Sequence, residues 1–76
     1  MSVTDGSGIV LTIRKDPGFA DGWHRIHIEN EDMSTFFAQI ESELVRKKGI
    51  KKGSRVRYTY EDEYPGYIRN IDVEVS

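Results

Sequence analysis

The sequence predicts a small α+β domain: a two-layer ββαββ sandwich with one helix packed on a four-stranded, mainly antiparallel sheet. Three observations predict it, namely four stretches with the two-residue period of a strand, one central stretch with the helical period, and turn signals between them. A lone helix covers only one face of a small sheet, so the other face is expected to be open to solvent. The chain of 76 residues has room for one domain, placed at residues 8–76 after a flexible N-terminus at residues 1–7.

The first two predicted strands form a hairpin. Apolar residues alternate along residues 8–14 and again along residues 23–29, where Ile26 and Ile28 lie on one face. The stretch 15–22 between them contains Asp-Pro-Gly and Asp-Gly, which are typical of turns. We therefore expect a hairpin with a loop of about eight residues.

The helix is predicted at residues 32–48, because an apolar stripe recurs there at helical spacing. Asp32 is a candidate N-cap. Gly49 fits the left-handed position just past the C-terminus, with Ile50 folding back on Val45 in a Schellman motif. The residues of the apolar stripe are Met33, Phe36, Phe37, Ile40 and Leu44.

The last two predicted strands follow the helix. Alternating residues predict strand three at residues 55–60, and the segment 64–67 has Pro and Gly where a type II turn places them. Ile68 and Ile71 are an odd number of positions apart, which predicts a bulge near Arg69 and Asn70 if both are buried. Strand four carries Ile71, Val73 and Val75.

The order of these elements resembles that of ubiquitin-like β-grasp modules. The points of contact are Arg14-Lys15 at the end of strand one, a single central helix, and an aromatic third strand that runs into the acidic stretch 61–63. The resemblance implies the same two-layer architecture.

Composition argues against an enzyme. The chain has no cysteine, which excludes disulfides, thiolate nucleophiles and sulfur-ligated zinc. His24 and His27 are three residues apart on a predicted strand, so they point to opposite faces and cannot bind one metal together. Because no glycine-rich phosphate loop and no targeting or membrane-spanning segment is evident, we expect no cofactor, no metal, no membrane contact and a cytoplasmic location.

Seven basic residues and no acidic one lie between positions 46 and 57, although the formal net charge is −2. Helix capping and an exposed turn account for five of these charges without any partner. A second interpretation is that they create a local positive field. The seven are Arg46, Lys47, Lys48, Lys51, Lys52, Arg55 and Arg57.

Alternate residues of a strand point to opposite faces of a sheet, and this alternation, here called strand parity, predicts a further set of side chains on the open face. Trp23 has a second interpretation, in which it packs under the long first loop against Phe19. The parity set comprises Thr12, Arg14, Trp23, Arg25, His27, Arg55, Arg57 and Thr59.

Three functions are consistent with these patterns. The leading hypothesis is a non-enzymatic module that docks an acidic protein surface. The alternatives are binding of RNA or single-stranded nucleic acid by the same face, and salt-dependent head-to-tail self-association against the acidic stretch 61–63, so that the chain is a monomer or associates weakly. The expected partner-binding residues are Arg14, Trp23, Arg25, His27, Arg55, Arg57, Lys47, Lys48, Lys51 and Lys52.

Overall fold

The computed structural model describes residues 2–16, 18–19 and 21–74, and within them the chain is a small α+β domain with one helix and a five-stranded antiparallel sheet. The prediction of four strands in ββαββ order is therefore wrong by one strand. Pro17 of the predicted loop and Val75 of the predicted last strand lie outside the described residues. The elements are β1 (Val3–Lys15), β2 (Trp23–Asn30), β3 (Thr35–Glu41), α1 (Ser42–Lys48), β4 (Arg55–Glu61) and β5 (Ile68–Val73).

The long strand β1 organises the sheet, whose strand order is β3-β2-β1-β4-β5. Its C-terminal part pairs with β2 and its N-terminal part with β4. Residues 3–7, assigned from the sequence to a flexible N-terminus, pair with residues 57–61 of β4. The two edge strands approach each other at Gln39 and Tyr67, where the Gln39 N–H donates to the Gly66 carbonyl at 2.8 Å. The sheet is thus curled until its edges meet at one point.

The first ten residues of the predicted helix are a turn and strand β3, which is the main correction to the sequence analysis. The chain reverses at residues 31–34, and β3 then pairs antiparallel with β2. Phe36, Ala38 and Ile40 face inward, whereas Phe37 is 61% exposed. The apolar spacing that predicted a helix also fits a strand, because alternate residues of residues 36–40 are apolar.

Asp32 caps the turn and not a helix. Its Oδ1 accepts a hydrogen bond from the Ser34 N–H at 3.0 Å, and the Asn30 N–H donates to the Ser34 carbonyl at 2.8 Å. An aspartate that bonds an N–H two residues ahead is common to helix N-caps and to Asx turns. A hydrogen bond from the Ser34 hydroxyl, and secondly the one from the Ser34 N–H, lower the pKa of the Asp32 carboxyl. Local chemistry could therefore not separate the two motifs.

The predicted end of the helix is confirmed. Gly49 has φ 66° and ψ 36°, in the left-handed region. The Ile50 N–H donates to the Val45 carbonyl at 3.1 Å, which is the six-to-one bond of a Schellman motif, and the Ile50 side chain is 6% exposed. This contact turns the chain from α1 toward β4.

The core lies inside the curled sheet and not between a sheet and a helix. None of the seven residues of α1 is fully buried; the helix lies against β2, β3 and β5, with Leu44 and Val45 packed on the edge of the core. Phe36 stacks on Tyr58 inside the sheet, with ring centroids 4.8 Å apart. The predicted two-layer sandwich is therefore wrong, because sheet curvature encloses what the helix was expected to cover. The fully buried side chains are Val10, Ile26, Ile28, Ile40, Val56 and Ile71.

Two irregularities set which residues face inward. The alternation along residues 8–14 predicts that Ile9, Leu11 and Ile13 face inward. A register shift between Val10 and Thr12 instead leaves Val10 buried and Ile9 39% exposed, so the prediction for Ile9 is wrong. A second shift, opposite Thr59 and Tyr60, leaves Arg69 as the extra residue between the buried Ile68 and Ile71. This second bulge confirms the prediction from their odd spacing.

The connection from β4 to β5 contains the predicted turn, though not the predicted type. The Tyr67 N–H donates to the Tyr64 carbonyl at 3.1 Å, as in a β-turn. A type II turn needs a positive φ at its third residue, which here is Gly66. Gly66 does not have a positive φ. The predicted type II geometry is therefore wrong.

Candidate binding groove

The outer face of β2 and β3 carries two rows of paired side chains. Pairing across β1, β2 and β3 places Thr12, His27 and Phe37 in one row. Arg14, Arg25 and Gln39 form the next row. The sequence prediction that Arg14, Arg25 and His27 share an outer face agrees with this register, since alternate residues point to the same side.

Phe37 and His27 form a stacked pair on this face. Their ring centroids are 3.8 Å apart and their planes are inclined by 19°. His27 is half-buried beneath the phenyl ring, and its Nε2 is a buried atom without a hydrogen-bond partner among the described residues. The other face of the Phe37 ring is left to solvent, since the residue is 61% exposed.

The loop between β1 and β2 and the loop between β4 and β5 meet in an aromatic cluster. The Trp23 ring lies 5.6 Å from that of Phe19 in an edge-on contact, and Tyr67 completes the triangle at 5.9 Å from each. Of the two interpretations of Trp23, packing against Phe19 is confirmed. The cluster fixes the distance between the two loops and thereby the width of the groove they border.

A groove of about 470 Å³ lies between these loops, over the face of β3. Asp16 orders two of its polar side chains: its Oδ2 is 3.4 Å from Arg25 Nε and accepts a hydrogen bond from Gln39 Nε2 at 3.2 Å. A carboxylate accepts only, so it fixes the Gln39 amide with Oε1 turned away. That oxygen is buried and has no donor among the described residues. The lining residues are Phe19, Arg25, Phe37, Ala38, Gln39, Gly66 and Tyr67.

Arg55 and Arg57 lie on a different part of the curled sheet. Arg57 pairs with Ser7 and Arg25 with Arg14, so the two arginines are separated by about 23 Å along β1, at roughly 3.3 Å per residue. Acidic residues of the last segment lie beside them: Asp72 pairs with Arg57, and the Glu74 N–H donates to the Arg55 carbonyl. The structure therefore does not bring Arg55 and Arg57 to the face of Arg14 and Arg25.

The lysines of the basic cluster lie at the end of α1 and in the turn after it. Lys48 Nζ is 2.8 Å from Asp72 Oδ1, which ties the helix to β5. Lys47, Lys51 and Lys52 are exposed and, within the described part of the chain, have no carboxylate within ion-pairing distance. They form a surface separate from the groove.

The acidic residues are also distributed. Glu31 and Asp32 lie in the turn after β2, at the end of that strand farthest from Arg25. Glu29 lies between this turn and the groove. At the other hairpin, Glu61 Oε1 is 3.3 Å from Arg69 and Asp62 accepts a hydrogen bond from Thr4. Two of the three acids invoked for head-to-tail self-association are thus engaged within the chain.

His24 points away from His27, as their spacing predicts. Its Nδ1 is 2.6 Å from Ser42 Oγ at the start of α1. Burial, and secondly the charge of Lys15, lower the pKa of His24. Among the described residues no group of three or more His, Asp or Glu side chains could hold a metal ion.

Of the seven residues that line this groove, the predicted partner-binding residues include only Arg25. Phe37 belongs to the apolar stripe of the predicted helix, which places it in the core, and the predicted partner-binding residues do not include Gln39 or Tyr67. The signal that could have found Phe37 is the alternation of Thr35, Phe37, Gln39 and Glu41 with the apolar residues of the same segment.

Neither protein-family models nor curated proteins match this chain. In the described residues, no helix has the length and apolar character needed to cross a membrane.

Proposed function

We propose that the groove binds a short segment of single-stranded nucleic acid, RNA or DNA, without catalysing a reaction. The observation that carries this proposal is the Phe37 ring, which is 61% exposed on a sheet face and stacked on His27 from behind. Every base has a π-face, and stacking on an aromatic side chain contributes about 1–3 kcal/mol per base. Arg14 and Arg25 lie in the adjacent row, where they can contact phosphates.

The topology supports the proposal by analogy. A curled five-stranded sheet whose first strand pairs with the second and fourth, and whose third and fifth strands meet, is the arrangement of the OB fold. In that fold the face of strands 2 and 3 and the loops 1–2 and 4–5 bind oligonucleotides or oligosaccharides. One fold hosts many functions, so the weight rests on the side chains. Arg14 and Arg25 favour the oligonucleotide over the oligosaccharide, because the oligonucleotide is an anion.

Charge is expected to contribute only modestly to the affinity of the groove for a nucleic-acid strand. Arg25 is partly neutralised by Asp16, and the chain as a whole has formal charge −2. Two arginines that neutralise two phosphates give a slope of log affinity against log salt of about −1.4, at roughly 0.7 per phosphate of a single strand. Stacking, which depends little on salt, supplies the remainder.

Substitutions of Phe37 test the stacking contact. We expect Phe37→Ala to weaken binding of a labelled single strand of about ten nucleotides by roughly 5-fold to 150-fold, the equivalent of one lost stacking contact. Phe37→Tyr keeps the ring and should bind within about twofold of the parent. Fluorescence anisotropy of the labelled strand measures both affinities.

Met33→Ala is the matched control, because Met33 is an exposed apolar residue (74%) in the turn between β2 and β3, outside the groove. It should leave the affinity unchanged. Equal losses for Phe37→Ala and Met33→Ala, or no binding by the parent protein at low salt, contradict the proposal.

An acidic protein surface is the second candidate ligand. The observation that favours it is the set of exposed lysines at the end of α1, which the groove does not use. Complementary charges of this kind steer association and respond to salt. The two candidates differ in location, so a map of the contacted residues separates them.

A further inference from the structure

A second pocket lies behind the first loop, where β1 ends and α1 begins. It has a volume of about 490 Å³ and is lined by side chains from three elements and the loop between β1 and β2. The Ser42 N–H donates to the Gly22 carbonyl at 2.8 Å, which holds the start of α1 against the end of that loop. The lining residues are Lys15, Asp21, Gly22, Trp23, His24, Ser42, Val45 and Arg46.

Two cations from different elements line this pocket. Lys15 is the last residue of β1, and Arg46 lies one turn into α1. Within the described residues neither has a carboxylate within ion-pairing distance. Asp21 also lines the pocket and is exposed, so it lowers the local positive potential without neutralising either cation directly.

The His24–Ser42 pair always keeps one hydrogen-bond donor free. If the Ser42 hydroxyl donates to His24 Nδ1, the neutral imidazole carries its proton on Nε2 and can donate from there. If instead Nδ1–H donates to Ser42 Oγ, the hydroxyl proton is free. When His24 is protonated, its Nδ1–H donates to Ser42 Oγ, and both the Nε2–H and the Ser42 hydroxyl proton are free. Protonation also adds a positive charge. No tautomer leaves the pair without a donor for an anion.

We propose that this pocket binds a phosphate group, with Lys15 and Arg46 supplying charge and the His24–Ser42 pair supplying a hydrogen bond. Arginine and lysine are the usual side chains for phosphate, and a hydroxyl or imidazole donor completes its oxygens. The phosphate belongs either to a nucleic-acid strand that also occupies the groove or to a free phosphate compound. The site itself does not depend on the proposed function of the groove.

Inorganic phosphate is the probe that tests the site alone. Trp23 lines the pocket and is the only tryptophan, so its fluorescence reports occupancy. Addition of phosphate, compared with chloride at equal ionic strength, should give a saturable change with half-saturation at millimolar concentration. The double variant Lys15→Gln, Arg46→Gln should abolish it.

The matched control is Lys51→Gln, Lys52→Gln, which removes the same charge from an exposed turn outside the pocket. This control should retain at least half of the parent's affinity for phosphate. A fluorescence change that does not saturate, or one that both double variants abolish equally, overturns the proposal, because it then reflects diffuse charge.

Oligonucleotides distinguish the two sources of phosphate once inorganic phosphate binds. If the source is a strand that spans the groove, Lys15→Gln, Arg46→Gln should reduce the salt slope of oligonucleotide binding by about 0.7, because the strand loses one neutralised phosphate. If the source is a terminal phosphate, a 5′-phosphorylated strand should bind several-fold more tightly than the same strand without it. If neither change occurs, the occupant is a free phosphate compound, and the groove proposal stands or fails on Phe37 separately.

Discussion

Ile40→Ala is expected to lower the free energy of unfolding by about 2–5 kcal/mol, because it leaves a cavity in a core that cannot collapse to fill it. The Ile40 side chain is 0% exposed and lies inside the curled sheet, where Ile40 of β3 pairs with His24 of β2. A domain of this size has roughly 5–15 kcal/mol in total, so this loss is a large share of its stability. Urea unfolding followed by circular dichroism measures it.

Ile9→Ala is the matched control, since Ile9 carries the same side chain but is 39% exposed on the outer face of β1. Its loss should be within about 1 kcal/mol. If the two variants unfold at the same urea concentration, residues 35–41 do not present Ile40 to the core, and the assignment of β3 is wrong.

Gly8→Ala is expected to destabilise the domain by roughly 1–3 kcal/mol or more, through a steric clash between backbones. A Cβ at position 8 would lie 2.1 Å from the Glu29 carbonyl oxygen and 2.9 Å from the Asn30 Cα, both in β2. These are backbone atoms of the paired strand, so β1 and β2 must move apart to accept it. The midpoint of thermal unfolding should fall accordingly.

Gly66→Ala provides the control for loss of glycine as such. A Cβ at Gly66 meets nothing within 4 Å, and Gly66 does not have a positive φ. This variant should keep the parent's melting temperature to within a few degrees. A Gly8→Ala variant that melts like the parent would show that β1 and β2 are not packed as closely as described.

The sequence predicts local motifs well because their chemistry is contained within a few residues. The Schellman motif needs only the left-handed Gly49 and the apolar Ile50, and both are visible in the chain. The bulge at Arg69 follows from the parity of two buried isoleucines. The hairpin of β1 and β2 follows from alternation and turn residues. The Schellman motif and the hairpin do not depend on the rest of the fold, and the bulge depends on it only through the burial of Ile68 and Ile71.

The curvature of the sheet could not be predicted in the same way. Residues 3–7 lack apolar alternation, and their strand conformation comes from pairing with residues 57–61 of β4, at least 50 positions along the chain. Residues 35–41 fit both periods, and pairing with β2 decides between them. If residues 35–41 are assigned to a helix, the sequence predicts a helix that covers a flat sheet. That prediction does not contain a core enclosed by the sheet itself.

The candidate groove was predictable only in small part, for the same reason. Arg14, Arg25 and His27 lie on strands whose parity is plain in the sequence, and the structure places them in adjacent rows. Phe37 depends on the misassigned segment, and Tyr67 reaches the groove only through the meeting of β3 and β5. Arg55 and Arg57 share the parity of Arg25, but parity does not show that a curled sheet turns them to another side.

A chemical-shift map of the backbone amides during titration with a single strand of about ten nucleotides tests the central claim most directly. We expect the largest shifts at Arg25, His27, Phe37, Gln39 and Tyr67, which surround the groove, together with a change in Trp23 fluorescence. Shifts centred on Lys47, Lys51 and Lys52, with the groove amides unchanged, would contradict the assignment of nucleic-acid binding to this face.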